Sequence, residues 1–126
     1  MNKLLATGIN QITLRVNNIA RSEEFYSDIL GFDVEKRMGK GMTVYRIGSD
    51  TLVIVEAETE YDRSAKDYRV DHFGFVVREA EKIDELAAYF REKEVTIISG
   101  PANRKNSRFL FIMDPDGNLI EIYTEN

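Results

Sequence analysis

Residues 70–77, with the sequence VDHFGFVV, contain the pattern that decides the fold. Successive side chains of a strand point to opposite faces, so three apolar side chains share one face while His72 and Gly74 point to the other. Residues 80–93 follow with apolar side chains at helical spacing. The pattern predicts a strand whose apolar face packs on a helix and whose opposite face carries polar groups.

The same order of elements, a strand, a helix and three strands, occurs twice along the chain. It occupies residues 7–58 and again residues 70–126. Aligning the two halves places Gln11 on His72, and aligning their closing strands places Glu56 on Glu121. The repeat predicts an α+β fold of two βαβββ modules, each an open curled mixed sheet with a helix on its outer face. We expect the two modules to form one domain over residues 1–126.

Breakers and caps set the expected limits of these elements. An asparagine at position 17 or 18 caps the first helix, and Gly31 ends it. Residues 100–107 contain glycine, proline and several polar residues, which predicts a loop before a strand at residues 109–113. The loop is basic and is interpreted either as a solvated segment or as an anion-binding clamp; its cationic side chains are Arg104, Lys105 and Arg108.

Strand alternation predicts one polar side chain on the face that each helix leaves uncovered. These side chains are Gln11, Glu56, His72 and Glu121. Two carboxylates, one imidazole and one amide oxygen form a plausible set of ligands for a borderline divalent cation. The alternative is that they are ordinary polar residues on a solvated sheet face.

Composition excludes several classes of protein. The 126 residues contain one histidine and no cysteine, so disulfide scaffolds, thiolate metal sites and cysteine nucleophiles are excluded. The net charge of −5 and the pI near 5.0 argue against nucleic acid as a partner. No apolar run reaches the length of a membrane span, and no signal peptide is recognised, so we expect a cytoplasmic protein that does not bind membranes.

Four segments resemble the vicinal oxygen chelate superfamily, which includes glyoxalase I, bleomycin-binding proteins, fosfomycin-resistance enzymes and dioxygenases. The segments are INQITLRV, RSEEFYSDILGFDV, VDHFGFVV and DPDGNLIEIY, and the resemblance covers nearly the whole chain. It implies two βαβββ modules around one divalent metal ion per site, Zn or Ni foremost, with Mn, Fe or Co as alternatives. It also implies a homodimer with sites at or near the subunit interface.

The resemblance also implies roles for individual residues. The metal ligands would be Gln11, Glu56, His72 and Glu121, a set similar to that of glyoxalase I. Glu121 and Glu56 would be the catalytic carboxylates that move a proton, and Arg15 would bind a carboxylate of the substrate. The other expected substrate-binding residues are Arg69 and, from the basic loop, Lys105.

The implied function is a metal-dependent lyase or isomerase of lactoylglutathione-lyase type, acting on a small substrate through an enediolate. Two alternatives stay open. One is different metal chemistry, namely thiol transfer to an epoxide, epimerisation or ring cleavage. The other is a metal-free protein that binds a small molecule.

Overall fold

The computed structural model describes residues 9, 11–58, 70 and 72–124. The chain divides into two compact units, Met1–Tyr61 and Asp62–Asn126. Among the described residues, no helix is long and apolar enough to cross a membrane. Each unit has its own sheet, helix and core.

The first unit contains four strands and a helical segment. The strands are β1 (Gln11–Val16), β2 (Asp33–Arg37), β3 (Met42–Ile47) and β4 (Asp50–Glu56). The helical segment consists of α1 (Ile19–Glu23) and a π-helical continuation (Glu24–Ile29). The order across the sheet is β1-β4-β3-β2, with β1 parallel to β4 and the other neighbours antiparallel.

The core of the first unit lies between its sheet and its helical segment. Leu14 pairs with Ile54 across β1 and β4, and both side chains are buried on the face that the helical segment covers. Tyr26 of the π-helical turn lies 6.2 Å, between ring centroids, from Tyr45 of β3, and both rings are fully buried. The side chain of Asn18 accepts a hydrogen bond from the backbone N–H of Arg21, which confirms the predicted cap.

The second unit repeats this topology. It contains β5 (Phe73–Val77), α2 (Ala80–Glu92), β6 (Ile97–Arg104), β7 (Ser107–Met113) and β8 (Leu119–Thr124). The order across the sheet is β5-β8-β7-β6, with β5 parallel to β8. Ile83, Ala87 and Phe90 of α2 are buried, as are Leu110, Ile112, Ile120 and Ile122 of the sheet. The predicted fold of two βαβββ modules is confirmed.

The prediction of a loop at residues 100–107 is wrong. β6 continues to Arg104, and a two-residue turn at Lys105 and Asn106 leads directly into β7. The pairing of β6 with β7 is irregular between Ile97 and Ala102, and regular pairing resumes where Ala102 pairs with Phe109. Strand pairing uses backbone groups that every residue except proline supplies in full, so a run of polar side chains does not prevent it.

Candidate functional site

His72 and Glu121 lie next to each other on the face of the second sheet that α2 does not cover. Gly74 of β5 pairs with Glu121 of β8, and His72 precedes Gly74 by two residues, which puts it on the same face. His72 Nε2 lies 3.6 Å from Glu121 Oε1. The imidazole is 36% exposed and the carboxylate side chain only 12%, so this pair combines a solvent-accessible nitrogen with a largely buried charge.

Gly74 provides the space that this arrangement requires. A Cβ atom at Gly74 would lie 2.9 Å from the backbone oxygen of Glu121 and 3.2 Å from a ring carbon of Tyr123. The first distance is shorter than carbon–oxygen contacts allow, so any other residue would push β8 away. The predicted glycine on the polar face therefore has a steric role beside Glu121.

Phe111 forms the apolar neighbour of the pair. It lies opposite Glu121 across β7 and β8. Its ring meets the imidazole of His72 edge to face, with 5.4 Å between centroids and 73° between planes. The contact places an apolar ring against the imidazole, on the face that carries Glu121.

Arg104 contacts this pair, although the sequence reasoning did not assign it to the site. Its Nη2 forms a salt bridge with Glu121 Oε2, and its guanidinium lies over the ring of Phe109, 4.7 Å from the centroid. Arg104 pairs with Ser107, and alternation from Ser107 through Phe109 to Phe111 puts all of them on the face of Glu121. That alternation was the available signal, but it could be used only once residues 100–107 were recognised as a hairpin.

The three cationic side chains of the hairpin have different surroundings. The guanidinium of Arg108 donates to both carboxylate oxygens of Asp84 on α2, at 2.8 and 2.7 Å, and these bonds lower the pKa of Asp84. Lys105 lies exposed in the turn with a φ of 53°. Arg104 is therefore the cation of this hairpin that contacts the His72–Glu121 pair, and the substrate-binding role of Lys105 stays a prediction.

Glu56 does not lie where the alternation argument placed it. It pairs with Val16 in the parallel β1–β4 ladder, so it points to the helix-covered face, whereas Gln11 points to the opposite face. Its Oε1 accepts a hydrogen bond of 3.1 Å from the backbone N–H of Ile19, at the start of α1. The prediction that Glu56 shares the open face with Gln11 is wrong, and the carboxylate instead satisfies a helix N-terminus.

The wrong placement of Glu56 comes from the alignment of the two closing strands, β4 and β8. Val16 pairs with Glu56 in the first unit, and its counterpart Val77 pairs with Thr124 in the second. Thr124 is thus the structural counterpart of Glu56, and the counterpart of Glu121 is Val53. An offset by an odd number of residues exchanges the two faces of a strand.

The remaining predicted site residues lie in different places. Gln11 and Arg15 are both exposed on the open face of the first sheet, where they pair with Thr51 and Val55. Arg69 lies outside the described residues. The metal-binding role of Gln11 and the substrate-binding roles of Arg15 and Arg69 stay predictions.

The donor atoms of His72 and Glu121 fit a divalent metal ion. Imidazole nitrogen and carboxylate oxygen bind such ions at about 2.0–2.2 Å, and the 3.6 Å between the two donors is less than twice that bond length. Two protein donors are fewer than a closed metal site uses. Within residues 11–58 and 72–124, no group of three or more acidic or histidine side chains is arranged to hold an ion.

Each of the two βαβββ units has a four-stranded sheet, and the second carries His72 beside Glu121 on its open face. The family profile described as the Glyoxalase/Bleomycin resistance protein/Dioxygenase superfamily matches residues 8–122. The chain belongs to this superfamily.

Relatives and solved structures agree with this membership. The chain is 32% identical to the metallothiol transferase FosB of Staphylococcus epidermidis, over 93% of this chain and 83% of the relative. It is 27% identical to a catechol-2,3-dioxygenase of Bacillus subtilis, over 94% of this chain but 42% of that protein. A glyoxalase/dioxygenase from Nostoc punctiforme has the same fold, with a TM-score of 0.82, 21% identity and coverage of 100% and 99% of the two chains.

Proposed function

We propose that the protein is a metal-dependent enzyme that transfers a thiol to a small electrophile, with His72 and Glu121 as metal ligands. The observation that carries the proposal is the pairing of His72 Nε2 with Glu121 Oε1 on an open sheet face. The similarity to metallothiol transferases over most of the chain supports this type of reaction. Gln11 is kept as a proposed third ligand, since it is the counterpart of His72 in the first unit.

The placement of Glu56 favours thiol transfer over proton shuttling. The isomerase hypothesis used two carboxylates, and the register puts Glu56 on the helix-covered face with its Oε1 bound at Ile19. Opening of an epoxide by a thiol needs no second carboxylate. The sulfur forms a bond to one ring carbon while the carbon–oxygen bond breaks, and the ring oxygen keeps that electron pair and takes up the thiol proton.

The chain's own residues would prepare this step in three ways. His72 and Glu121 hold the divalent ion, which when bound polarises the electrophile's oxygen. Phe111, whose ring contacts His72, makes the adjoining surface apolar. Gly74 leaves room for the close approach of β8 at Glu121.

A glyoxalase-type lyase or isomerase is the second candidate. Glu121 is a carboxylate beside the proposed metal, so it could serve as the single base that removes a proton from carbon. In that case Glu121→Gln should lower turnover by about 10²–10⁴-fold, the usual contribution of a positioned base, with a smaller effect on metal content.

The test combines metal binding with a panel of reactions. Calorimetry with Mn²⁺, Zn²⁺ and Ni²⁺ should show one binding event per chain. His72→Ala should weaken it by more than the roughly 10–100-fold that loss of a supporting group costs. The melting temperature in EDTA should stay near that of the parent, which would show that the variant is folded.

Activity should then be measured with fosfomycin plus cysteine or glutathione, with a hemithioacetal, and with a catechol. We expect turnover of the epoxide with a thiol, abolished by His72→Ala. Turnover of the hemithioacetal alone would replace thiol transfer by the second candidate. Absence of metal binding in the parent protein would contradict both and favour a metal-free binding protein.

A further inference from the structure

Arg104 contacts one of the two carboxylate oxygens of Glu121 that could coordinate a metal. Its Nη2 contacts Oε2, while Oε1 lies 3.6 Å from His72 Nε2. The carboxylate is therefore held between a permanent cation on one side and the imidazole on the other. Glu121 is 12% exposed, and a carboxylate buried to this degree is destabilising without a compensating partner.

The arginine is anchored in a way that allows it to move. Its backbone carbonyl accepts a hydrogen bond of 2.9 Å from Ser107 Oγ, and its guanidinium rests on the face of Phe109. Its side chain is 49% exposed, so the guanidinium can move away from Glu121 toward solvent while the backbone stays fixed. Arg108, on the next strand of the hairpin, is tied to Asp84 on the other face and cannot replace it.

We propose that Arg104 is an internal counter-ion that competes with the metal for Glu121. In the metal-free protein the guanidinium neutralises the carboxylate and stabilises the fold. When a divalent cation binds at His72 and Glu121, the positive charge of Arg104 opposes it, because like charges a few ångströms apart repel strongly in a partly buried site. Arg104 thereby lowers the affinity for the metal, and this inference rests on the proposed metal-binding function.

The competition gives Arg104 two measurable effects of opposite sign. Arg104→Met removes the charge and keeps an unbranched apolar side chain next to Phe109. In EDTA, the variant should melt at a lower temperature than the parent, because Glu121 loses its partner. With Mn²⁺, the variant should bind about tenfold more tightly, within the usual range of coupling between two sites. The rise of its melting temperature on adding Mn²⁺ should accordingly exceed that of the parent.

Arg108→Met is the matched control. It removes the same charge from the same hairpin and also breaks an ion pair, but its partner Asp84 lies on α2. Its Mn²⁺ affinity should equal that of the parent. Should Arg104→Met fail to fold, Arg104→Gln provides the test, since glutamine is uncharged and can still donate a hydrogen bond to Glu121.

The outcomes separate this inference from the proposed function. If the parent binds Mn²⁺ and the Arg104 variants bind it equally or more weakly, Arg104 supports the ligand instead of competing with the metal, and the inference is overturned. An equal gain in Arg108→Met would also overturn it, because the effect would then reflect net charge alone. If neither the parent nor the Arg104 variants bind any metal, the proposed metal function itself fails.

Discussion

Glu121 and Glu56 show how the partner of a carboxylate decides its role. Glu121 lies between the imidazole of His72 and the guanidinium of Arg104 on an open sheet face. Glu56 accepts from the backbone N–H of Ile19, where the helix dipole is positive. Glu56 ends β4 and Glu121 lies within β8, and both are carboxylates next to apolar strand residues. Their contacts therefore distinguish the proposed ligand from the helix cap.

Glu56→Gln should therefore leave metal binding unchanged. The amide oxygen of glutamine can still accept from Ile19, and only the charge at the helix N-terminus is lost. The free energy of unfolding should fall by about 0.3–1 kcal/mol. Urea denaturation measures the stability and calorimetry with Mn²⁺ the affinity, with Glu121→Gln as the comparison. A loss of metal affinity as large as that of Glu121→Gln would return Glu56 to the metal centre.

At the residue scale, sequence reasoning identified His72 and Glu121 but not Arg104. Strand alternation placed His72 and Glu121 on the uncovered face, and the structure brings them together. The sequence indicates Arg104 only as one of three cations in the predicted loop. Its partner Glu121 lies 17 residues away along the chain, across the full width of the β6–β7–β8 meander, and nothing local in the sequence indicates that contact.

At the scale of elements, the order of strands and helices was predictable but the register of the repeat was not. β4 has four consecutive apolar residues, 52–55, and β8 has apolar or aromatic residues on both sides of Glu121. Alternation establishes which residues share a face within a strand, but sliding one such strand along another leaves the pattern intact. In the structure Glu121 corresponds to Val53 and not to Glu56, which lies three residues further along β4.

The first unit is tied together by an ion pair between its helical segment and its sheet. Glu23 of α1 accepts from Arg37 Nε and Nη2 at 3.0 and 2.9 Å, and from the hydroxyl of Thr43, which is buried. The hydrogen bonds from Arg37 are the main cause of a lowered pKa of the Glu23 carboxyl. The fold thus favours the ionised form of Glu23.

This lowered pKa predicts a pH-dependent contribution to stability. The contribution is fully present above the ordinary carboxyl pKa of 4.5 and is lost as the pH falls through the lowered value in the folded state. Glu23→Gln should lower the free energy of unfolding at pH 7, and the difference from the parent should shrink as the pH falls below 4.5. Urea denaturation across this range measures it. The control is Glu24→Gln, an exposed neighbour on the same helical segment; an equal effect of both variants would contradict the assignment.

At the scale of the whole molecule, the two units have the same topology but different open faces. The second carries the His72–Glu121 pair, whereas the first has Gln11 at the position of His72 and Val53 at the position of Glu121. Both units have a buried apolar core, but of these two equivalent strand positions only the one in the second unit carries a carboxylate. The homodimer implied by the family resemblance stays a prediction, which sedimentation equilibrium would test.

Gln11 is the side chain through which the first unit is proposed to supply a metal ligand. An amide oxygen is a neutral, weak donor, and an imidazole suits Zn²⁺, Ni²⁺ and Co²⁺ better. If Gln11 coordinates the ion, Gln11→Ala should weaken binding of Zn²⁺ about tenfold, and Gln11→His should strengthen it by a similar factor. Thr13→Ala is the matched control, since Thr13 lies two residues further along the same exposed face of β1. Equal affinities in all three variants would confine the metal centre to His72 and Glu121 of the second unit, with water or substrate completing the coordination.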